Sequence, residues 1–509
     1  MVKSSYLLGI DSGTTSCKTV LYTLDGEPVA TASAPHKIYH PQPSWAEQDP
    51  DDWWRSAVKT IKNVIKRANI KGEDITGISV DSQREAVVSL DNQGKKLSNS
   101  IIWLDQRAIP QQEKIKNILP LNDVLSITGV PIDFIFSAPK ILWIKEERTN
   151  IYRKISKFLC AKDYIVYKLT GEMFTDYSMA SRTMLFDIKK LCWSEKICNE
   201  LGISIDLLPP VKGSWEVAGE VSSAVARLTG LKKGTPVACG GGDRPCEALG
   251  AGVVNVGTVN IGTGTGSVFE VPLLQPRIDT SGRIDCCCHV IPDRWEYEIL
   301  VNSTGASLSW FTDNFGFKKI TKAENNGVPQ YKFFDEEASI VDAGANNLFY
   351  YPYLWGARAP VFNPKARGVF FGFSHGHTRA HFIRAILEGV AFQYLEVLKI
   401  LMTMGVSVSK FRMVGGETKS ALWNRIKADV INIPIEIPRV TEAASLGSAI
   451  LAGLATKMFT DVNKAVETVV KVGAVYEPRK DLHGKYQRIY ETYWRIYTLL
   501  EKAFNELNW

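Results

Sequence analysis

Short apolar runs that break off at glycine-rich turns alternate along this chain with longer stretches of helical period, a pattern that predicts an α/β fold. Ser5-Tyr6-Leu7-Leu8-Gly9-Ile10 has the length of a buried strand. It runs through Asp11-Ser12-Gly13-Thr14-Thr15-Ser16 into a second strand, Cys17 to Thr23, ended by the turn Asp25-Gly26. Asp49-Pro50 supplies a cap and a first-turn proline for a helix that carries Trp53, Val58, Ile61 and Ile65 at helical spacing. A strand from Ile75 to Val80 ends in Asp81-Ser82-Gln83-Arg84-Glu85, and strand-like runs follow at Val87 to Leu90 and from Ile101. Ser137 to Trp143 and Cys160 to Gly171 read as helices, while the hydroxyl-rich stretch Asp176 to Thr183 reads as a loop.

The second half repeats the opening chemistry. Thr235 to Cys239 is strand-like and feeds Gly240-Gly241-Gly242-Asp243-Arg244, after which Pro245 to Gly250 starts a helix. Strand Thr258 to Ile261 then enters Gly262-Thr263-Gly264-Thr265-Gly266-Ser267 and leaves through Val268-Phe269. A long helix spans about Thr378 to Met404, stopped by Gly405, and strand Phe411 to Val414 enters Gly415-Gly416 before a helix through Leu422, Trp423, Ile426 and Val430. After strand Ile433 to Ile437, helix Glu442 to Ala455 offers Ala444, Gly447 and Ala452 for close packing, and Tyr486 to Leu507 forms an amphipathic helix. Two strand–turn–strand units half a chain apart suggest two like-folded halves, each offering one loop to a shared ligand.

Composition narrows the function classes. At 509 residues the chain exceeds a single core, and 45% hydrophobic with 22% charged residues is ordinary for a globular protein. A net charge of +6 with only short basic runs, such as Lys189-Lys190 and Lys318-Lys319, argues for solvated faces and against nucleic acid. No apolar run approaches the ~18 residues of a membrane span, and the strand pattern beginning at Tyr6 leaves no room for a signal peptide. The nine cysteines include no C-x-x-C pair, and Cys286-Cys287-Cys288 would alternate faces in a strand. They read as reduced and mostly buried, as expected of a cytoplasmic protein.

Several turns carry candidate chemistry. Asp243, at the lip of a glycine turn, is placed either to take a proton from a substrate hydroxyl or simply to cap a helix. Gly13 with Thr14 and Thr15 can present N–H and O–H groups to a phosphate, and Asp11 can hold magnesium, although a polar hairpin turn would look the same. This unit lacks the lysine and the helix of a P-loop. Gln83, Arg84 and Glu85 can bind a polyhydroxylated ligand whose C–H face Trp103 covers; the alternative is a surface ion pair beside a half-buried tryptophan. Gly415 and Gly416 leave room for a flat base or ribose against the backbone, or form an ordinary strand–helix turn.

Taken in order, these pieces resemble the FGGY family of carbohydrate kinases, within the larger fold of sugar kinases, actin and heat-shock-chaperone ATPases. The resemblance rests on Asp11 to Thr15, Gln83-Arg84-Glu85, Trp103 with Asp105 and Arg107, and Lys140 to Trp143. It continues through Leu169-Thr170-Gly171, Gly240 to Asp243, Gly262-Thr263-Gly264, Arg384 to Gly389 and Gly415-Gly416. It implies two actin-like (ribonuclease H-like) domains around a deep cleft, each a mixed sheet with flanking helices. Residues 1–250 would be mainly sugar-binding and 251–509 mainly ATP-binding. Asp243 would be the general base and Asp11 the magnesium-positioning residue. Gly13, Thr14, Thr15, Gly262 and Thr263 would hold the phosphates of ATP, and Gly415 and Gly416 would lie against the adenosine.

Gln83, Arg84, Glu85, Trp103, Asp243 and Arg244 would face the sugar or polyol. The resemblance favours a ketopentose such as xylulose, with glycerol or another polyol next and a sugar acid third. The rival of a different class is a non-catalytic, nucleotide-switched binding protein, which the retained Asp243 argues against. Two positions depart from the pattern. Ile135 stands where glycerol kinases carry a tyrosine, and Arg244 stands where glutamine or asparagine is usual. Arg244 would either face a substrate carboxylate or pair with Glu247 and brace Asp243. A homodimer is one assembly open to such a chain.

Overall fold

Both halves of the chain build the same sheet. In the computed structural model, which describes residues 5–315 and 330–506, the chain divides into two compact units that are discontinuous in sequence. The first comprises Met1–Val254, Pro272–Tyr297 and Glu442–Lys471; the second comprises Asn255–Val271, Glu298–Thr441 and Val472–Trp509.

In the first unit, β1 (Tyr6–Ser12), β2 (Ser16–Thr23) and β3 (Pro28–Pro35) form an antiparallel meander, and β4 (Ile75–Ser82) lies parallel to β1. With β5 (Val217–Glu220) and β6 (Pro236–Ala238) the order is β5-β6-β4-β1-β2-β3, and the two-residue β7 (Gly241–Gly242) pairs with the end of β4. In the second unit, β8 (Thr258–Thr263) and β9 (Ser267–Leu273) pair antiparallel. β10 (Lys410–Gly415) lies parallel to β8, β11 (Ile435–Pro438) parallel to β10, and β12 (Val472–Tyr476) antiparallel to β11. The two sheets share a hairpin, two parallel additions and an antiparallel edge, the expected duplicated α/β architecture with mixed sheets; β3 extends the first, and Trp295–Val301 and Asp285–Cys288 extend the second beyond β9.

Helices cover the first sheet. The helix α1 (Pro50–Ala68) starts where Asp49 accepts from Asp51 N and ends at Asn69 in the left-handed region. Asp51 and Asp52 in its first turn and Lys66 and Arg67 in its last turn complement the helix dipole. It packs against β2 and β3, while α3 (Ala443–Ala455) packs against β1, β4 and α2 (Asp243–Gly250). Glycines set these distances. A Cβ on Gly9 would lie 2.0 Å from Ser445 O, and one on Gly447 would lie 1.9 Å from Cys246 O. The close packing expected of Gly447 is therefore a backbone-to-backbone crossing of α3 over the helix that begins with Asp243.

Three local expectations change. Asp176 to Thr183 is not a loop: Thr175–Asp176 is a short strand, and Asp176 caps a helical turn, Tyr177–Ala180, by accepting from Ser178 N. The C-terminal helix starts at Lys480, before the expected Tyr486, and is described to Glu506. The strand from Ile101 is only Ser100–Ile101, because Trp103 to Arg107 turns. Leu507 and the pair Lys318-Lys319 lie outside the described residues. All nine cysteines are free and only Cys192 is exposed; Cys286, Cys287 and Cys288 are buried because both faces of their strand are covered. Among the described residues no helix is long and apolar enough to cross a membrane.

Candidate active site

Parallel pairing brings the strand ends of the first unit into one row. Asp11 of β1 stands opposite Asp81 of β4, and Asp81 stands opposite Gly241 of β7, two residues before Asp243. Lys18 is the antiparallel partner of Asp11. Burial pushes the Asp11 carboxyl up to about 7, with the negative charge of Asp243 adding to it and Lys18 opposing. Asp81, wholly buried, is raised further by burial and by Asp11, although the Ser448 hydroxyl donates to its Oδ2 at 2.6 Å. Asp243 is also raised by burial, against the pull of the Arg84 and Arg244 guanidinium groups.

Asp243 heads α2 directly after the glycine turn. Its side chain keeps 32% of its surface open, and its Oδ1 lies 3.4 Å from Arg84 Nε. Arg244 N donates to the same oxygen at 2.9 Å, while the Arg244 guanidinium pairs with Glu247 at 3.3 Å. A Cβ on Gly242 would lie 2.5 Å from Arg84 Cδ, so glycine there lets the Arg84 side chain keep its place beside Asp243. A partly open carboxylate held by a cation at the mouth of a turn can accept a proton from a bound hydroxyl. Asp11 and Asp81 are hard oxygen donors, and no group of three or more ligand side chains converges among the described residues. That donor set fits magnesium, which keeps most of its waters and takes one or two carboxylates.

The other first-unit candidates gather through a residue the sequence did not single out. Gln83 donates to Gln48 Oε1 at 2.6 Å, and Gln48 donates to Thr14 O at 2.7 Å. Trp103 Nε1 donates to Thr14 Oγ1 at 3.0 Å, which leaves the Thr14 hydroxyl proton available, and Thr15 is exposed in the same turn beside Gly13. Glu85 stands apart. It holds a left-handed backbone (φ 60°), its carbonyl accepts from Lys140 Nζ at 2.7 Å, and its carboxylate takes Arg182 at 2.6 Å. Arg182 also binds Asp285 at 2.7 Å. A strained non-glycine residue held from two sides is characteristic of a functional site.

The second unit assembles the remaining candidates. Thr263 stands opposite Gly415, which has φ 92° and whose Cβ would lie 2.0 Å from Thr263 O, so Gly262, Thr263, Gly415 and Gly416 form one surface. The Thr263 hydroxyl donates to Val414 O at 2.7 Å and accepts from Glu417 N at 3.2 Å, so its proton is committed inward. Behind the surface lies a wholly buried ion pair between Glu417 and Lys427, and Glu417 also accepts from Tyr394 Oη at 3.1 Å.

Asp81, Ser448, Gln48, Arg182 and Glu417 escaped sequence reasoning. Arg182 had a signal, an arginine inside the hydroxyl-rich run Asp176 to Thr183. Asp81 had one too, a carboxylate ending a strand as Asp11 does.

Comparison with known proteins shows the family of the chain. Residues 6–250 match the N-terminal domain model of the FGGY family of carbohydrate kinases, and residues 259–456 match its C-terminal domain model. The xylulose kinase of Bacillus subtilis is 31% identical over 493 residues, covering 97% of each chain. The gluconokinase of Bacillus subtilis is 32% identical over 506 residues, covering 99% of this chain and 98% of that one. A ligand-bound xylulose kinase structure from Lactobacillus acidophilus superposes with a TM-score of 0.89 at 25% identity, covering 99% of this chain and all of that one (100%).

Proposed function

The chain belongs to the FGGY family of carbohydrate kinases, and on that premise we propose that it transfers the γ-phosphoryl group of ATP to a hydroxyl of a ketopentose such as xylulose. The observation that carries the chemistry is Asp243, partly open at the head of α2, paired with Arg84 and in row with Asp11 and Asp81. Asp243 takes the proton of the substrate hydroxyl as that oxygen bonds to the γ-phosphorus and the bond to the β,γ-bridging oxygen breaks, releasing ADP. Arg84 pulls the Asp243 carboxyl down, against the burial that raises it. Asp11 would hold magnesium, which would supply positive charge to neutralise the transferring phosphoryl group.

The turn Gly13-Thr14-Thr15 and the residues Gly262 and Thr263 bind the phosphates. Thr14 donates its hydroxyl proton, whereas Thr263 can contribute only backbone. Gly415 and Gly416 lie against the adenosine. Gln83, Arg84, Glu85, Trp103 and Arg244 face the sugar, so the first unit is mainly the sugar-binding one and the second unit mainly the ATP-binding one. The similarity to proteins named xylulose kinase supports the ketopentose. A sugar acid is the second reading, favoured by the two arginines beside the base and by the relative named gluconokinase. The free, mostly buried cysteines support a cytoplasmic setting.

The test is magnesium-dependent ADP release with ketopentoses, polyols, ketohexoses and aldonates, run beside Asp243→Ala. Turnover with xylulose that is lost in the variant is the expected result. Turnover on an aldonate alone would move the substrate to the second reading, and an active Asp243→Ala would remove the base.

A further inference from the structure

Beneath the glycine turn that carries Asp243 lies a buried charge network with no part in the chemistry described above. Lys162, Asp163, Asp176, Ser178 and Ser214 are all fully buried. Lys162 Nζ lies 2.6 Å from Asp163 Oδ1 and 3.1 Å from Asp176 Oδ1. The other oxygen of Asp176, Oδ2, receives three donors: Ser178 N at 2.9 Å, the Ser178 hydroxyl, and the Ser214 hydroxyl at 2.7 Å. Both serines reach the turn. Gly242 N donates to Ser178 Oγ at 2.9 Å, and Gly240 N donates to Ser214 O at 3.0 Å.

The direction of each bond follows from the carboxylate. An ionised aspartate only accepts, so Ser178 gives its single proton to Asp176 and turns a lone pair toward Gly242 N–H. The charge on Asp176 thereby fixes the orientation of a hydroxyl that would otherwise rotate. The attraction of Asp163 and Asp176 holds Lys162 well above the usual lysine range in spite of burial, so it remains the counter-ion. Buried ion clusters of this kind seldom add net stability over apolar packing, so a role in fixing geometry accounts better for its retention. The turn has little slack elsewhere. A Cβ on Gly241 would lie 2.3 Å from Val290 Cγ1, and Gly240 needs φ 75°.

We infer that Asp176, acting through Ser178, is the positioning residue of the Gly240–Gly242 turn and so sets where the Asp243 carboxylate stands. The inference rests on Asp243 being the base. It predicts a loss in turnover rather than in substrate binding, because the side-chain bonds of Asp176 and Ser178 run toward the glycine turn.

The experiment compares wild type, Ser178→Ala, Ser178→Thr, Asp176→Asn and Asp243→Ala in the full-length protein. It measures kcat, both KM values and the thermal midpoint. Ser178→Ala, which strips Gly242 N–H of its acceptor, is expected to lower kcat about tenfold to a hundredfold, as an ångström-scale misplacement does. Both KM values should stay within about twofold of wild type, and Ser178→Thr, which keeps the hydroxyl, should recover most of the loss. Asp176→Asn should match Ser178→Ala; if it does not fold, the Ser178 pair decides. An unchanged kcat in Ser178→Ala, or a loss that Ser178→Thr does not recover, overturns the inference while an inactive Asp243→Ala leaves the base in place. An active Asp243→Ala would overturn both.

Discussion

The buried pair Glu417–Lys427 offers a stability test whose sign depends on which partner is removed. Glu417 follows the Gly415-Gly416 turn, and Lys427 lies on the helix Ala421–Ile431; neither side chain has any exposed surface. Lys427 also lies 4.2 Å from the ring centre of Trp423 and 5.0 Å from that of Tyr394, so its ammonium sits among aromatic rings. Burial already pulls the Lys427 ammonium down, and Glu417 is what opposes that pull. Removing one member of such a pair costs about 3–5 kcal/mol, whereas removing both together is often close to neutral. For a unit of this size each kcal/mol moves the thermal midpoint by about 2–4 °C, so either single change should lower it by about 6–20 °C.

The pH responses should run in opposite directions. In Glu417→Gln the unpaired lysine binds fewer protons folded than unfolded, so stability recovers as pH rises. In Lys427→Met the unpaired carboxylate binds more protons folded than unfolded, so stability recovers as pH falls. Urea titrations of both singles and of the double variant, at mildly acidic and mildly alkaline pH, read this directly. Single variants costing less than about 1 kcal/mol, a double variant no better than the singles, or pH responses of the same sign would refute a desolvated pair.

Other consequences are as specific. Arg84→Gln removes the main charge opposing the burial-raised Asp243 carboxyl, so the acid limb of kcat/KM should move up by about one pH unit or more; an unmoved limb would mean that Arg84 does not control the base. If Asp11 holds magnesium as proposed, its carboxyl at about 7 puts a proton in competition with the metal. Magnesium activation should therefore weaken about tenfold for each pH unit below that value, and Asp11→Asn should lose that dependence. Gly447→Ala would gain about 1 kcal/mol from helix propensity alone. The added Cβ lies 1.9 Å from Cys246 O, so overpacking should win, with a net loss of about 1–3 kcal/mol in urea titration and lower activity through displacement of α2.

How much of this was legible in sequence depends on how local the physics is. Strands such as Tyr6–Ser12 and Ile75–Ser82 were readable because strands buried on both faces are continuous apolar runs. The helix at Asp49-Pro50 was readable because its cap and proline are neighbours in the chain. Asp176 to Thr183 was misread because serine and threonine runs favour turns unless something caps them, and the cap is an aspartate whose wider role lies in contacts 38 and 64 residues further along the chain, to Ser214 directly and, through Ser178, to Gly242. The C-terminal helix starts at Lys480 rather than at the expected Tyr486, because packing of the tyrosine face carries it through Gly484 despite that residue's low helix propensity. The Arg244–Glu247 pair, one of two readings open from the sequence, is a contact three residues apart on one helix and needed only a settled helix start.

Sequence by itself determined the order of elements, the duplicated hairpin turns with their glycines and hydroxyls, and Asp11 and Asp243 as the carboxylates to examine. Those features are set by backbone sterics, hydrophobic period and capping within a few residues. Tertiary structure decided that Asp81 stands beside Asp11, that Arg84 faces Asp243, and that Gly447 lets α3 cross α2. It also decided that Glu417 turns inward to Lys427, and that Asp176 reaches the Gly240–Gly242 turn through a serine. Each of these depends on which strands become neighbours and in what register. That choice is made by the burial of whole sheets, and no local stretch of the chain encodes it.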